Sequence, residues 1–172
     1  FKVETIGDCY VAATGLPSPN PDHATVMVRF AKTCLARMQD IMSYLAVSLG
    51  PSTRGLGMRF GIHSGPVTAG VLRGEKSRFQ LFGDTVNTAS RIESTGMTNR
   101  IHISQETADY LIEGGKATWL VSRKDKVVAK GKGELQTYWI KTPGNGGKPA
   151  AGRDGAPMQG GNHDASPEEE GD

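Results

Sequence analysis

The first 142 residues combine short runs of two-residue apolar period with longer runs of three- to four-residue period. Period two predicts strands, because successive side chains of a strand point to opposite faces. The opening run over 2–6 meets Gly7-Asp8 and resumes over 9–13, and a Gly-Asp pair between two such runs predicts a hairpin with Asp8 at its tip. Further strands are predicted over 58–63, 67–72 (alternatively a short helix), 78–82, 101–103, 117–121 and 135–140.

The longest stretch of helical period predicts a helix that ends near Leu49. A proline-rich loop precedes this helix, so Asp22 is expected to be its N-cap, and Gly50-Pro51 ends it. The apolar stripe of the helix fits core packing better than a methionine-rich binding groove. The stripe consists of Met27, Ala31, Leu35, Met38, Met42 and Leu45.

Two shorter helices are predicted in the second half of the chain. One spans about 84–94 with Gly96 just beyond its end, and the other is capped by Ser104 and ends at Gly114. Strands and helices mix without a strict βαβ repetition. The sequence therefore predicts an α+β fold, with helices packed on one face of a mostly antiparallel sheet.

Composition divides the chain into one folded domain over 1–142 and a tail over 143–172. The tail is rich in Gly and Pro, contains no aromatic residue and ends in an acidic run, so we expect it to be disordered. In the whole chain, 20 Lys and Arg face 18 Asp and Glu, and this net charge of +2 argues against a nucleic-acid partner.

The sequence also gives expectations about compartment and context. No run reaches the roughly 18 apolar residues that span a bilayer, so no direct membrane contact is expected of this segment. Two cysteines, Cys9 and Cys34, without metal-type spacing indicate a reducing compartment. Because the chain begins with Phe1 and lacks a signal peptide, we expect it to be part of a longer protein.

Several residues are candidates for chemistry, each with a simpler alternative. Asn87 and Arg91 are four apart on one predicted helix and offer an amide and a guanidinium to an anion, although the same spacing fits a solvated face. Asp8 is either a turn residue or a metal ligand, and Arg59 is either an anion-binding cation or one partner of an ion pair. Lys130 lies among glycines that permit close approach of a phosphate, or that simply form a flexible connection.

Taken together, four segments resemble the class III nucleotide cyclase catalytic domain over about residues 1–140. The segments are Lys-Val-Glu-Thr-Ile-Gly-Asp over 2–8, Arg-Phe-Gly-Ile-His-Ser-Gly over 59–65, Leu-Phe-Gly-Asp-Thr-Val-Asn-Thr-Ala-Ser-Arg over 81–91, and Lys-Gly-Lys-Gly over 130–133. The resemblance implies a ferredoxin-like cyclase fold, in which two domains pair head to tail with the active sites in the groove between them. It also implies that a strand with a second metal-binding aspartate, a phosphate-holding turn and two helices would precede Phe1. We therefore describe the domain as N-terminally truncated and expect the 172-residue chain alone to have little or no cyclase activity.

The resemblance implies a role for each matching residue. These roles are metal binding for Asp8, with two Mg²⁺ or Mn²⁺ ions per site; triphosphate binding for Arg59 and Lys130; ribose orientation for Asn87; neutralisation of the pentavalent phosphorus for Arg91; and recognition of the purine edge for Glu4 and Gln80. Asp8 of one subunit and Asn87 with Arg91 of the other would then form one site, so a homodimer is expected.

The identity of the base depends on Glu4 and Gln80. A carboxylate accepts hydrogen bonds from N1–H and the exocyclic amine of guanine, whereas N1 of adenine is itself an acceptor. Guanylate cyclases usually pair this glutamate with a cysteine where Gln80 stands, and adenylate cyclases usually have a lysine with an aspartate or threonine. We therefore expect conversion of GTP to cyclic GMP and pyrophosphate.

Three alternatives remain open. They are an adenylate cyclase acting on ATP, a noncatalytic cyclase-like regulatory subunit, and a nucleic-acid-binding α+β domain. The last is poorly supported by the small net charge. The expected location is cytoplasmic, and the parent protein could be membrane-anchored.

Overall fold

The computed structural model describes residues 1–73, 78–129 and 133–142. Lys130 and the predicted tail over 143–172 therefore lie outside the described residues. The three α-helices of these described residues are α1 (His23–Ser48), α2 (Asp84–Ser94) and α3 (Gln105–Glu113). The same part of the chain contains ten strands, which are β1 (Lys2–Ile6), β2 (Cys9–Ala12), β3 (Phe60–Ile62), β4 (Thr68–Leu72), β5 (Arg78–Phe82), β6 (Ile101–Ser104), β7 (Leu120–Ser122), β8 (Val127–Ala129), β9 (Gly133–Leu135) and β10 (Thr137–Ile140).

A four-stranded sheet in the order β3-β6-β10-β7 forms the centre of the fold. Strand β3 runs parallel to β6, and β10 is antiparallel to both β6 and β7. The pairs β1-β2, β4-β5 and β8-β9 are separate antiparallel hairpins. This arrangement confirms the predicted α+β class with a mostly antiparallel sheet.

The main core lies between the central sheet and helices α1 and α3. Val28 of α1, Ile101 and Ile103 of β6, and Leu111 of α3 are all fully buried there. Of the predicted α1 stripe, Leu35 and its neighbour Ala31 are buried, whereas the remaining members are half-buried. Core packing is therefore confirmed for the stripe, most fully in the N-terminal half of the helix.

Helix α2 lies on the opposite face of the sheet, so the expectation that all helices pack on one face is wrong. Side chains of β6 alternate: Ile103 points into the main core, and His102 points the other way to meet the backbone of α2 at Ile92. On β3, Gly61 faces α2 in the same way. Both faces of β6 are consequently covered, and all four of its residues are buried.

The hairpin tip and the N-cap of α3 agree with the sequence predictions, and the N-cap of α1 agrees only in its position. The Gly7-Asp8 hairpin tip is confirmed, with Gly7 at φ 59°, and the hydroxyl of Ser104 accepts from the backbone N–H of Thr107 as the N-cap of α3. Asp22 is at the N-cap position of α1, but its side chain makes no capping hydrogen bond there.

The predicted strands near the C-terminal end differ from the observed ones. The segment predicted as a strand over 117–121 begins as a 3₁₀ turn, Ala117–Trp119, before β7 starts. Strand β8 was missed, and the run over 135–140 divides between β9 and β10. The open choice over 67–72 is decided for a strand, β4. No helix in the described part of the chain is both long enough and apolar enough to cross a bilayer.

Candidate active site

Helix α2 has one buried side and one polar side. Thr88 and Ile92, four residues apart, are 1% and 0% exposed and face the sheet. Asn87 is exposed and Arg91 is half-buried, and the same four-residue spacing puts them next to each other on the helix surface. The polar side of α2 therefore carries both residues.

The N-terminal end of α2 is attached to the turn before β4. The hydroxyl of Thr85 donates to the backbone carbonyl of Pro66 at 2.6 Å. A Cβ atom added at Gly65 would lie 2.6 Å from the same hydroxyl oxygen, so only glycine permits this approach. Gly83, just before the helix, has φ 126°, which a side chain would strain.

The C-terminal end of α2 is bound by side chains from the sheet. His102 donates from Nδ1 to the carbonyl of Ile92 at 2.6 Å and accepts at Nε2 from the hydroxyl of Thr137 at 2.8 Å. Arg123 donates from Nη1 to the carbonyl of Thr95 at 2.8 Å. The last carbonyls of a helix lack helical partners, and these side chains provide them.

His102 is neutral in this setting. Its ring is 0% exposed and stacks on Trp139 with centroids 4.6 Å apart. Burial, the main cause, together with the nearby Arg123 and Arg100 guanidinium groups, lowers the pKa of His102 from its ordinary 6.5 to about 4, although the hydrogen bond to Ile92 acts in the opposite sense. The sequence analysis did not single out this histidine.

Arg59 lies just before β3, and its Nε donates to Oε1 of Glu93 on α2 at 2.8 Å. The Arg59 side chain is 50% exposed and that of Glu93 is 33% exposed. The alternative that Arg59 belongs to an ion pair is thus observed, and the pair joins the strand to the helix that carries Asn87 and Arg91.

The two predicted base-reading residues lie on neighbouring hairpins. Glu4 is half-buried on β1 and Gln80 is half-buried on β5, and these two strands contact each other. The rings of Phe1 and Phe79 meet edge to face across this contact, with centroids 5.2 Å apart.

Asp8 is exposed at the hairpin tip. Within residues 1–73, 78–129 and 133–142, no group of three or more His, Cys, Asp or Glu side chains is arranged to hold a metal ion. A carboxylate is a suitable ligand for Mg²⁺ or Mn²⁺, but Asp8 supplies only one such group. Asp8 is therefore not part of a three-ligand group among the described residues, its role as a metal ligand stays a prediction, and Lys130 lies outside these residues.

Comparison with known proteins gives consistent matches. Residues 1–142 match the family model for the adenylate and guanylate cyclase catalytic domain. The chain is 43% identical over 141 residues to atrial natriuretic peptide receptor 2 of Homo sapiens, covering 81% of this chain and 13% of that protein. The chain spans only 10% to 13% of the length of the first curated relatives it matches.

Solved structures agree with the sequence matches. The guanylate cyclase domain of RhGC from Catenaria anguillulae, in complex with GTP, is 39% identical with a TM-score of 0.61, covering 83% of this chain and 72% of that one. A dimeric guanylyl cyclase domain of the RhoGC fusion protein from Blastocladiella emersonii, whose dimer departs from the usual arrangement, is 36% identical with a TM-score of 0.55, covering 81% and 70%.

Proposed function

The chain belongs to the family of adenylate and guanylate cyclase catalytic domains, and from this membership we propose that it converts GTP to cyclic GMP and pyrophosphate. The observation that carries the proposal is the polar side of α2. Asn87 and Arg91 stand together there on a helix whose opposite side is buried and whose ends are bound to the rest of the fold.

The reaction is an in-line attack of the ribose 3′-oxygen on the α-phosphorus, with pyrophosphate as the leaving group. Such a reaction depends mainly on positioning and on stabilising the charge of the transferring phosphoryl group. Asn87 would orient the ribose, and the Arg91 guanidinium would neutralise charge on the equatorial oxygens. Arg59, together with Lys130, would bind the triphosphate.

A second cyclase domain is the proposed partner, because no single chain is expected to hold the whole constellation. Asp8 of one subunit and Asn87 with Arg91 of its neighbour would form one site, so a monomer would be inactive. The dimeric solved relative supports pairing of such domains in general.

Two Mg²⁺ or Mn²⁺ ions per site are the proposed cofactors, with Asp8 as one carboxylate ligand. Bound there, such ions would lower the pKa of the attacking hydroxyl and steady the triphosphate. The exposed position of Asp8 leaves its carboxylate open to an ion.

Glu4 and Gln80 are the proposed readers of the guanine edge. Glu4 would accept from N1–H and the exocyclic amine, and the amide of Gln80 would donate to the 6-oxo group. If this is so, Glu4→Lys combined with Gln80→Asp should shift preference from GTP to ATP. Unchanged selectivity in that double variant, measured as the ratio of kcat/KM for the two nucleotides, would show that these positions do not read the purine.

The central experiment measures cyclic GMP and cyclic AMP production with Mn²⁺ by the complete gene product and by the 172-residue chain. We expect the gene product to prefer GTP, and we expect Asn87→Ala and Arg91→Ala each to reduce its kcat by about 10²–10³. If the unaltered gene product is as slow as these variants, the noncatalytic regulatory function is correct instead. Robust turnover by the chain alone would contradict the expectation that it is inactive by itself.

The proposed location is the cytoplasm. Cys9 and Cys34 are free thiols in the described structure, which fits a reducing compartment. The matching receptor-type relatives raise the further proposal that the parent protein is membrane-anchored.

A further inference from the structure

The contact between Arg59 and Glu93 depends on a close approach of α2 to the edge of the central sheet. Arg59 and Gly61 are two residues apart, and both meet Glu93 of α2. A Cβ atom added at Gly61 would lie 2.2 Å from the backbone nitrogen of Glu93 and 2.5 Å from its Cα. The absence of a side chain at Gly61 therefore lets Glu93 rest on the strand, beside Arg59.

This ion pair has little value for folding. Both side chains are substantially exposed, and exposed pairs contribute little to stability because water screens the charges and two long side chains lose freedom. The contact between Arg59 and Glu93 is nevertheless short, and Gly61 allows it to form. A role in ligand binding would explain why the pair is held so closely. An explanation in terms of ligand binding rests on the proposed function, since Arg59 is a proposed triphosphate-binding cation.

The atoms in the contact suggest how the pair would act. Glu93 bonds Nε, which lies on the side of the guanidinium, through one carboxylate oxygen. The two terminal Nη groups form the end of the guanidinium, and this end can bind two phosphate oxygens at once. A carboxylate at Nε and a phosphate at the Nη groups can therefore bind the same arginine together.

We propose that Glu93 is a positioning residue for Arg59, which holds the Nε side of the guanidinium so that the Nη end faces the triphosphate. A free arginine side chain samples many rotamers and loses this freedom when a ligand binds. If Glu93 already fixes the side chain, binding no longer carries that entropic cost. The role needs a hydrogen-bond acceptor at position 93, and it does not need a full negative charge.

The test compares Glu93→Ala with Glu93→Gln in the complete gene product by GTP kinetics. Gln retains an Oε1 acceptor for Nε–H, and Ala does not. We expect Glu93→Ala to raise the KM for GTP about three- to fivefold, the upper range for an exposed pair, with kcat nearly unchanged. Glu93→Gln should stay within about twofold of the original KM because its acceptor is retained.

A matched control is available on α1, where Asp40 faces Arg37 at 3.9 Å and both side chains are exposed. Asp40→Ala removes the same charge from another surface ion pair and should leave the KM unchanged. Equal KM values for Glu93→Ala and Glu93→Gln would overturn the proposal, whether both remain normal or both fall. A fall in both would mean that Glu93 competes with phosphate for Arg59.

A second readout separates this inference from the proposed function. If the gene product does not cyclise GTP, the proposed function fails, and the arrangement can still be measured by NMR of the Arg59 Nε–H group in the 172-residue chain. We expect that proton to exchange slowly with water in the original chain and in Glu93→Gln, and rapidly in Glu93→Ala. Indistinguishable exchange in the three proteins would overturn the inference directly.

Discussion

His102 should make the stability of this domain depend on pH. The ring is fully buried and accepts a hydrogen bond from Thr137 at Nε2, the atom that would take up the second proton. The charged groups near it are the Arg123 and Arg100 guanidinium groups and the Asp125 carboxylate. Protonation would therefore place a new cation in a buried site that already borders two arginines.

The size of the effect follows from the lowered pKa, about 4 in the folded chain against an ordinary 6.5. The unfolded chain binds a proton as the pH falls through 6.5, and the folded chain does so only near pH 4. The free energy of unfolding that His102 contributes is therefore fully present above pH 6.5 and declines as the pH falls from 6.5 to 4. Below pH 4 the contribution of His102 changes no further. The loss is about 2 kcal/mol at pH 5 and roughly 3 kcal/mol in full.

The assay is urea unfolding at pH 7.5 and pH 5, with His102→Asn as the comparison. Asn can still donate to the Ile92 carbonyl but has no proton to gain in this range. Carboxylates contribute to both proteins, so the stability advantage of the original chain over the variant should shrink by about 2 kcal/mol at the lower pH. An advantage that is the same at both pH values would refute the reasoning. If the variant does not fold, an NMR titration of the original ring must show a pKa below 5.

Three further substitutions test the packing of α2. Gly61→Ala should destabilise the chain by about 1–3 kcal/mol in urea unfolding, because the new methyl group meets helix backbone, whereas Gly55→Ala, with open space around it, should not. Ile92→Ala should cost about 2–5 kcal/mol because that side chain is fully buried. Its neighbour Arg91→Ala should leave the unfolding free energy within about 0.5 kcal/mol while it reduces kcat, and a comparable loss of stability in both would contradict the division of α2 into two sides.

The elements of the domain were well predicted where local signals define them. Helix α2 begins and ends where the sequence predicts, because Gly83 precedes it and Gly96 follows it closely. Strand β5 agrees in both bounds, and the tip of the first hairpin follows from its Gly-Asp pair. Such features depend on the backbone preferences of a few neighbouring residues, which can be inferred from the residue types themselves.

The contacts that hold the site were not predicted, because they join residues far apart in the chain. Arg59 and Glu93 are 34 positions apart, and His102 and Thr137 are 35 apart. The alternation of side chains along a strand predicts that His102 and Ile103 face opposite sides of the sheet. It does not predict that a helix covers each side. The placement of α2 opposite α1 and α3 depends on tertiary contacts of α2 with β3 and β6.

This placement of α2 explains how a surface helix can present polar side chains in a fixed position. A short helix is marginal by itself, and its position must come from tertiary contacts. In α2 the buried side and both ends supply these contacts, through Ile92, through Thr85 on Pro66, and through His102. No stabilising role is then required of Asn87, which is exposed, and the residue can be selected for a ligand alone. The anchoring residues, rather than Asn87, are therefore the ones whose loss should harm folding and catalysis together.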